Sequence, residues 1–192
     1  MSYQNSLEAH FSTKDRAYTG KELRPHFLLT ELGLRGSGIG AFVGPCRVET
    51  EHLVDWEDRL AEDRIEAARM VHFIGEFFGM GLREGVLLQR LFMASLGDSL
   101  NVLLPEANRL RREGDDLFVA ERKLSVSIVT ASPVSVLLHT GINVDPTGAP
   151  VPAIGLSELD VDPQSWAMTF LDGFAAEWAS IQWACAKVRP VV

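Results

Sequence analysis

The chain has 192 residues, 46% of them apolar and 23% charged, with a net charge of −8. That length suffices for one domain with a real core. The acidic balance excludes a general nucleic-acid binder, whose surface must neutralise phosphates. No apolar run approaches the 18 residues or so of a membrane-spanning helix. The N-terminus MSYQNSLEAHF lacks a basic region followed by an apolar stretch, so no secretory signal is expected. Cys46 and Cys185 lie far apart without metal-ligand spacing, which suggests a reducing, cytoplasmic setting rather than a disulfide framework.

Residues 1–20 are polar, so a poorly ordered start or a small hairpin around Arg16–Gly20 is expected within a single domain spanning 1–192. Phe27, Leu28, Glu31 and Leu32 predict a short amphipathic helix that Gly33 terminates. The glycine-rich run Arg35–Gly40 lacks the Gly-Lys-Ser/Thr of a phosphate loop and reads as a turn. Ile39–Val48 reads as a buried strand made irregular by Pro45, with Cys46 and Arg47 at its far end. An acid-rich helix follows from a Thr50 cap to about Ala68, carrying Leu53, Val54, Trp56 and Leu60.

Met70–Phe78 alternates, with Val71, Phe73 and Phe77 on one face and His72, Ile74 and Glu76 on the other. His72 and Glu76 then form either a site or a satisfied hydrogen-bonded pair. Glu84–Leu104 carries leucines and Phe92 at helical spacing and ends before Pro105. Strands are expected at about 116–120, 123–130 and 134–144, and a last helix from an Asp162 cap and Pro163. Trp166, Phe170, Phe174, Trp178, Ile181 and Cys185 form its apolar stripe, which places Cys185 in the core and makes this helix the plausible surface for homo-oligomerisation. The order of elements predicts an α+β layered domain with a mixed, mostly antiparallel sheet.

Three stretches carry a resemblance: Asp115-Asp116-Leu117-Phe118-Val119, then Arg122-Lys123-Leu124-Ser125-Val126-Ser127-Ile128, then His139-Thr140-Gly141-Ile142-Asn143-Val144. Their order resembles the signature region of the biotin and lipoate protein ligases and of the octanoyltransferases of that superfamily. A broader likeness takes in Phe42 to Cys46, Val54 to Asp58, Met70 to Ile74, Arg111 to Asp116 and Lys123 to Ile128. On these stretches the chain is similar to an uncharacterised family, domain of unknown function 366, placed with the ligases by fold. The resemblance implies a class II synthetase-like, ligase-like fold and a small acyl or cofactor-like ligand. It also implies a carrier protein as an acceptor.

It further implies a role for Lys123, whose counterpart in the ligases contacts the acyl-adenylate phosphate and the acyl carbonyl. A fixed cation stabilises the charge that acyl transfer develops there. Asp116 matches a carboxylate that positions the nucleotide or incoming group, and Asn143 a strand-end residue with a structural task. The adenylate-wrapping Gly-Arg-Gly-Arg loop has only Gly44-Pro45-Cys46-Arg47 as its counterpart, which counts against ATP and magnesium as cofactors. The late Pro-Cys-Gly of octanoyltransferases is replaced by Ala149–Ile154, without cysteine.

Three readings follow. The first is acyl transfer with Cys46 and Lys123 as a displaced catalytic dyad, the thiolate favoured by Lys123 and Arg47. The second is adenylate formation, with Lys123 and Arg47 on the phosphate and Asp116 near ribose or metal. The third is a non-catalytic binding module for a small molecule or protein on a retained ligase fold. Arg112, His72, Glu76 and His139 complete the candidate ligand-binding set. His52, Asp55, Glu57, His72 and Glu76 are candidate metal ligands, with no pair at metal spacing, and no metal is assigned.

Overall fold

The computed structural model describes residues 6–191. In chain order the elements are β1 (Glu8–Phe11), α1 (Phe27–Leu32), β2 (Gly38–Val48), α2 (Trp56–Leu60), β3 (Ile65–Phe78), α3 (Leu82–Asn101), β4 (Leu110–Glu113), β5 (Asp116–Val119), β6 (Arg122–Lys123), β7 (Ser125–Ala131), β8 (Ser135–Asp145) and α4 (Pro163–Ala186). One sheet runs β1-β2-β3-β8-β7, antiparallel except where β1 lies parallel to β2. A second, antiparallel sheet runs β4-β5-β6.

The central strands are buried on both faces, and their alternation sorts the residues between two cores. Val71, Phe73 and Phe77 of β3, with Ile39 and Ala41 of β2, meet α3 and α4. Phe73 sits edge-on to Phe92 and Phe170 at 5.6 Å, and Phe92 edge-on to Phe174 at 4.8 Å, the arrangement that aromatic quadrupoles favour. The other face buries Met70 and Ile74 of β3 and Phe42 of β2 under Tyr18, Phe27 and Leu28. Gly33 ends α1 in the left-handed conformation (φ 74). Gly44 permits the closest approach on this side, since a Cβ there would sit 1.9 Å from the Arg16 carbonyl oxygen.

Four local expectations need correction. Residues 1–5 of the expected irregular start lie outside the described residues; among residues 6–20 there is no hairpin around Arg16–Gly20, for Glu8–Phe11 pairs in parallel with β2 and Tyr18 bridges Cys46. A parallel edge strand draws its stability from a distant partner, so the short stretch Glu8-Ala9-His10-Phe11 carries little local sign of it. The helix expected to reach Ala68 stops at Leu60, with Asp55 rather than Thr50 as the cap: its carboxylate accepts from the N–H groups of Glu57 and Asp58. Trp56 and Leu60 are 68% and 78% exposed, so this helix covers no core. Residues from Ile65 instead extend β3 and pair with β2, Ile65 against Val48 and Ala67 against Cys46. A further strand, β4, precedes β5. Cys185 is exposed rather than buried, because the final turns of α4 run past the sheet.

Candidate functional site

On the face turned away from α3 and α4, a cleft of about 350 Å³ opens over β3, β7 and β8. Met70, Val126 and Asn143 contribute to its floor, and the Leu53–Glu66 segment, Asp115–Lys123 and the loop at 149–153 wall it. Lys123 enters from the end of β6. Its N–H donates to the Pro152 carbonyl at 2.9 Å, and its own carbonyl accepts from Ile154 N–H at 3.1 Å. Asn143 Nδ2 donates to the same carbonyl at 3.2 Å, so Asn143 braces the lysine's backbone. The side chain is then free only to swing its ammonium, which meets Asp116 Oδ2 at 2.9 Å. Both side chains are a little under a third exposed.

Carboxylates outnumber cations around this cleft. Asp55, Asp58, Asp63, Glu66, Asp115 and Asp116 line it against Lys123 and Arg64. Arg64 is engaged by Glu66 at 3.2 Å, and Asp115 is held by Arg90 at 3.1 Å and by Gln89 Nε2 at 2.9 Å. Burial raises Asp116 above the usual carboxylate range, opposed by the Lys123 ammonium. Burial also raises Asp58, with help from Asp55 and Asp63 and against the pull of Lys123. Both shifts come mainly from taking the charged form out of water.

Beneath the cleft lies a pair of histidines. The register sets Ile74 of β3 opposite His139 of β8, and His72 Nδ1 stands 3.2 Å from His139 Nε2. His72 Nε2 is 3.3 Å from the Gly44 carbonyl oxygen. Tyr18 stacks on His139 at 3.6 Å with an 8° interplanar angle, and His139 also lines the cleft. Burial pushes His72 down to about 4, opposed by its hydrogen bonding to the Gly44 and Pro45 backbone. Burial also pushes His139 well below its ordinary value, and His72 adds to the effect. Both rings are therefore neutral at pH 7.

Of the residues singled out in the sequence, Lys123, Asp116, His139, Asn143 and Asp55 line this cleft, whereas His52 and Glu57 do not. His72 supports it from behind through His139. Glu76 shares the strand face with His72 but turns to other partners, accepting from His26 N–H at 2.9 and 3.0 Å and from Ser135 Oγ at 2.8 Å. Cys46 is buried against Tyr18 and does not line the cleft. Burial, with Glu22 adding, pushes its thiol up to about 12. Arg47 is exposed and paired with Glu49 at 2.7 Å, and Arg112 donates to the Gly114 carbonyl on the surface. Neither arginine lines the cleft. Among the described residues no group of three or more His, Cys, Asp or Glu is arranged to hold a metal ion.

Asp58, Arg64, Asp115 and Gln89 were not singled out beforehand. Arg64 fell inside the helix expected to reach Ala68, and Gln89 lies on α3, where it reads as one polar residue on a leucine-rich face. Asp115 alone carried a sequence signal, as the first residue of the Asp-Asp strand start.

A mixed, mostly antiparallel sheet with α3 and α4 on one face is a fold that this chain shares with biotin and lipoate protein ligases. The chain superposes on a biotin protein ligase from Aquifex aeolicus with a TM-score of 0.57 at 14% identity, over 91% of this chain and 69% of that one. It superposes on a candidate lipoate protein ligase from T. acidophilum with bound lipoic acid at 0.56 and 10% identity, over 91% and 86%. At these identities the likeness is one of fold. The chain belongs to the family described as a domain of unknown function, DUF366, which it matches over residues 7–189. It is 35% identical over 201 residues to an uncharacterized protein of Methanocaldococcus jannaschii, covering 99% of this chain and 88% of that protein. A protein of unknown function from Pyrococcus horikoshi has the same fold, with a TM-score of 0.90 at 35% identity over 97% of this chain and all of that one. No helix among the described residues is long and apolar enough to cross a membrane.

Proposed function

We propose that this protein binds a small acyl or cofactor-like carboxylic acid in the Lys123 cleft and acts on it as an acyl-group transferase or ligase-like protein. The observation that carries this reading is Lys123 itself, with its backbone clamped from two sides and its ammonium held at the mouth of the cleft by Asp116. A cation so placed can accept a carboxylate or polarise a carbonyl with little reorganisation, because the protein has already fixed its stem. Asp116 orients the ammonium and gives it up in part when an anionic ligand arrives. A carrier protein as acyl acceptor belongs to the same proposal.

The surroundings support some routes better than others. A neutral buried thiol outside the cleft is poorly suited to a thioester route through Cys46. An adenylate route would have to bring a polyphosphate past six carboxylates with Arg47 outside, so it would need magnesium as a bridge. These two points favour, as a second reading, a binding module that holds an acyl compound without activating it.

Calorimetric titration with octanoate, lipoate and biotin tests the proposal. At least one should bind the wild-type chain and bind Lys123→Gln at least tenfold more weakly, as expected for losing a charge-assisted hydrogen bond. Equal affinity for the wild-type and variant chains would rule out the assigned role of Lys123.

A further inference from the structure

The histidine pair under the cleft is arranged in a way that the acyl-binding reading does not use. A carbonyl oxygen only accepts hydrogen bonds, so the nitrogen of His72 facing the Gly44 carbonyl, Nε2, must carry the proton. In a neutral ring the other nitrogen, Nδ1, is then an acceptor. It faces His139 Nε2 at 3.2 Å, which must be the donor. The remaining nitrogen of His139, Nδ1, is thereby left as a bare acceptor. The chain of bonds runs from His139 to His72 to Gly44 with a single permitted direction.

That last nitrogen has no hydrogen-bond partner among the described residues. The residue is nevertheless only 2% exposed, and no sealed side-chain nitrogen or oxygen among the described residues lacks a partner. His139 Nδ1 must therefore reach open space, and the space His139 borders is the cleft. Tyr18, stacked 3.6 Å from the ring, holds it in that orientation. Cleft-lining acids and cations on neighbouring elements (Asp115, Asp116 and Lys123 at the β5–β6 wall, Asp58 on α2) surround the opening without bonding to the ring.

We propose that His139 Nδ1 is a fixed hydrogen-bond acceptor for the ligand, and that the bound acyl compound carries an N–H or O–H donor in its tail as well as the carboxyl group that meets Lys123. The inference rests on the acyl-binding reading above and narrows it to a substrate class: hydroxyacyl, amidoacyl or ureidoacyl compounds rather than plain hydrocarbon chains. A ring so reluctant to take a proton is a poor general base and a good permanent acceptor. A donor in the ligand satisfies this buried acceptor, whereas a hydrocarbon tail strips it of water and leaves it unpaired. His72 is a positioning residue in this scheme, since it acts only by setting which nitrogen of His139 is bare.

The test has two arms, both on the full chain. In the first, ¹⁵N spectroscopy of ring-labelled, ligand-free protein should show His139 with Nε2 protonated and Nδ1 bare, and His72→Phe should release this preference. Finding Nδ1 protonated would overturn the inference without any ligand being needed. In the second, octanoate and lipoate, whose tails lack a donor, are compared with 8-hydroxyoctanoate and biotin, whose tails carry one. At least one donor-bearing probe should bind about tenfold more tightly than the donor-free pair and shift the His139 Nδ1 resonance. His139→Phe, which removes the acceptor nitrogen, should abolish that preference. If donor-free and donor-bearing probes bind equally, the inference fails and the acyl-binding reading stands. If no carboxylate of either kind binds, the acyl-binding reading fails and takes this inference with it.

Discussion

Acidification should destabilise this fold through the His72–His139 pair, and the size of the loss can be worked out. His72 is fully buried and held at about 4, against an ordinary 6.5. Between those values the unfolded chain binds a proton that the native chain refuses, so stability present above pH 6.5 is lost as the pH falls toward 4. For one ring the loss by pH 4 is about 3 kcal/mol, and His139, shifted in the same direction, adds to it. With a urea dependence of about 2 kcal/mol per molar, the unfolding midpoint should fall by roughly 1.5 M or more. The assay is urea unfolding at pH 7, 5.5 and 4.5 on the wild-type chain and on the double variant His72→Gln/His139→Gln. Carboxylates titrate in both, so the difference between their pH slopes isolates the pair. The wild-type midpoint should fall more steeply. Parallel slopes, or a ring found charged above pH 6 in the native state, would refute the claim that both histidines are buried neutral.

Other consequences of the same structure can be checked separately. Thiol-specific reagents should label exposed Cys185 rapidly and Cys46 only after unfolding, which mass mapping of the two peptides would show; fast native labelling of Cys46 would revive the thioester route. ATP should fail to bind in the absence of magnesium because of the acidic lining, and calorimetry with and without the metal decides this. Phe92→Ala should cost about 3–5 kcal/mol, since its ring is fully buried against Phe73, Phe170 and Phe174, and denaturant unfolding measures it.

The legible parts of the fold were those with long periodic patterns. The alternation along Met70–Phe78 sorted Val71, Phe73 and Phe77 from His72, Ile74 and Glu76 correctly because β3 is buried on both faces by different partners. The leucine spacing of α3 and the Asp162-Pro163 start of α4 are local signals and read directly. What escaped depended on distant partners. β1 exists because β2 offers it an edge, and Ile65–Arg69 is extended because β2 and β8 continue beside it, although its composition suits a helix.

The site divides in the same way. Lys123 and Asp116 were visible from the order of motifs around them. That His72 would meet His139, while Glu76 would be drawn to His26 and Ser135, depends on the β3–β8 register and on the packing of α1. Alternation alone assigns a face, and what lies at each end of that face is a tertiary property.

The proposed function turns on Lys123 gripping a small carboxylate within the acidic cleft. The most direct measurement is the affinity of octanoate, lipoate and biotin for the wild-type chain beside Lys123→Gln, with the variant's fold checked by its unfolding midpoint. At least one compound should bind the wild-type chain measurably, and the variant should lose about tenfold or more in affinity. No binding of any of the three, or binding that the substitution leaves unchanged, would contradict the proposed function.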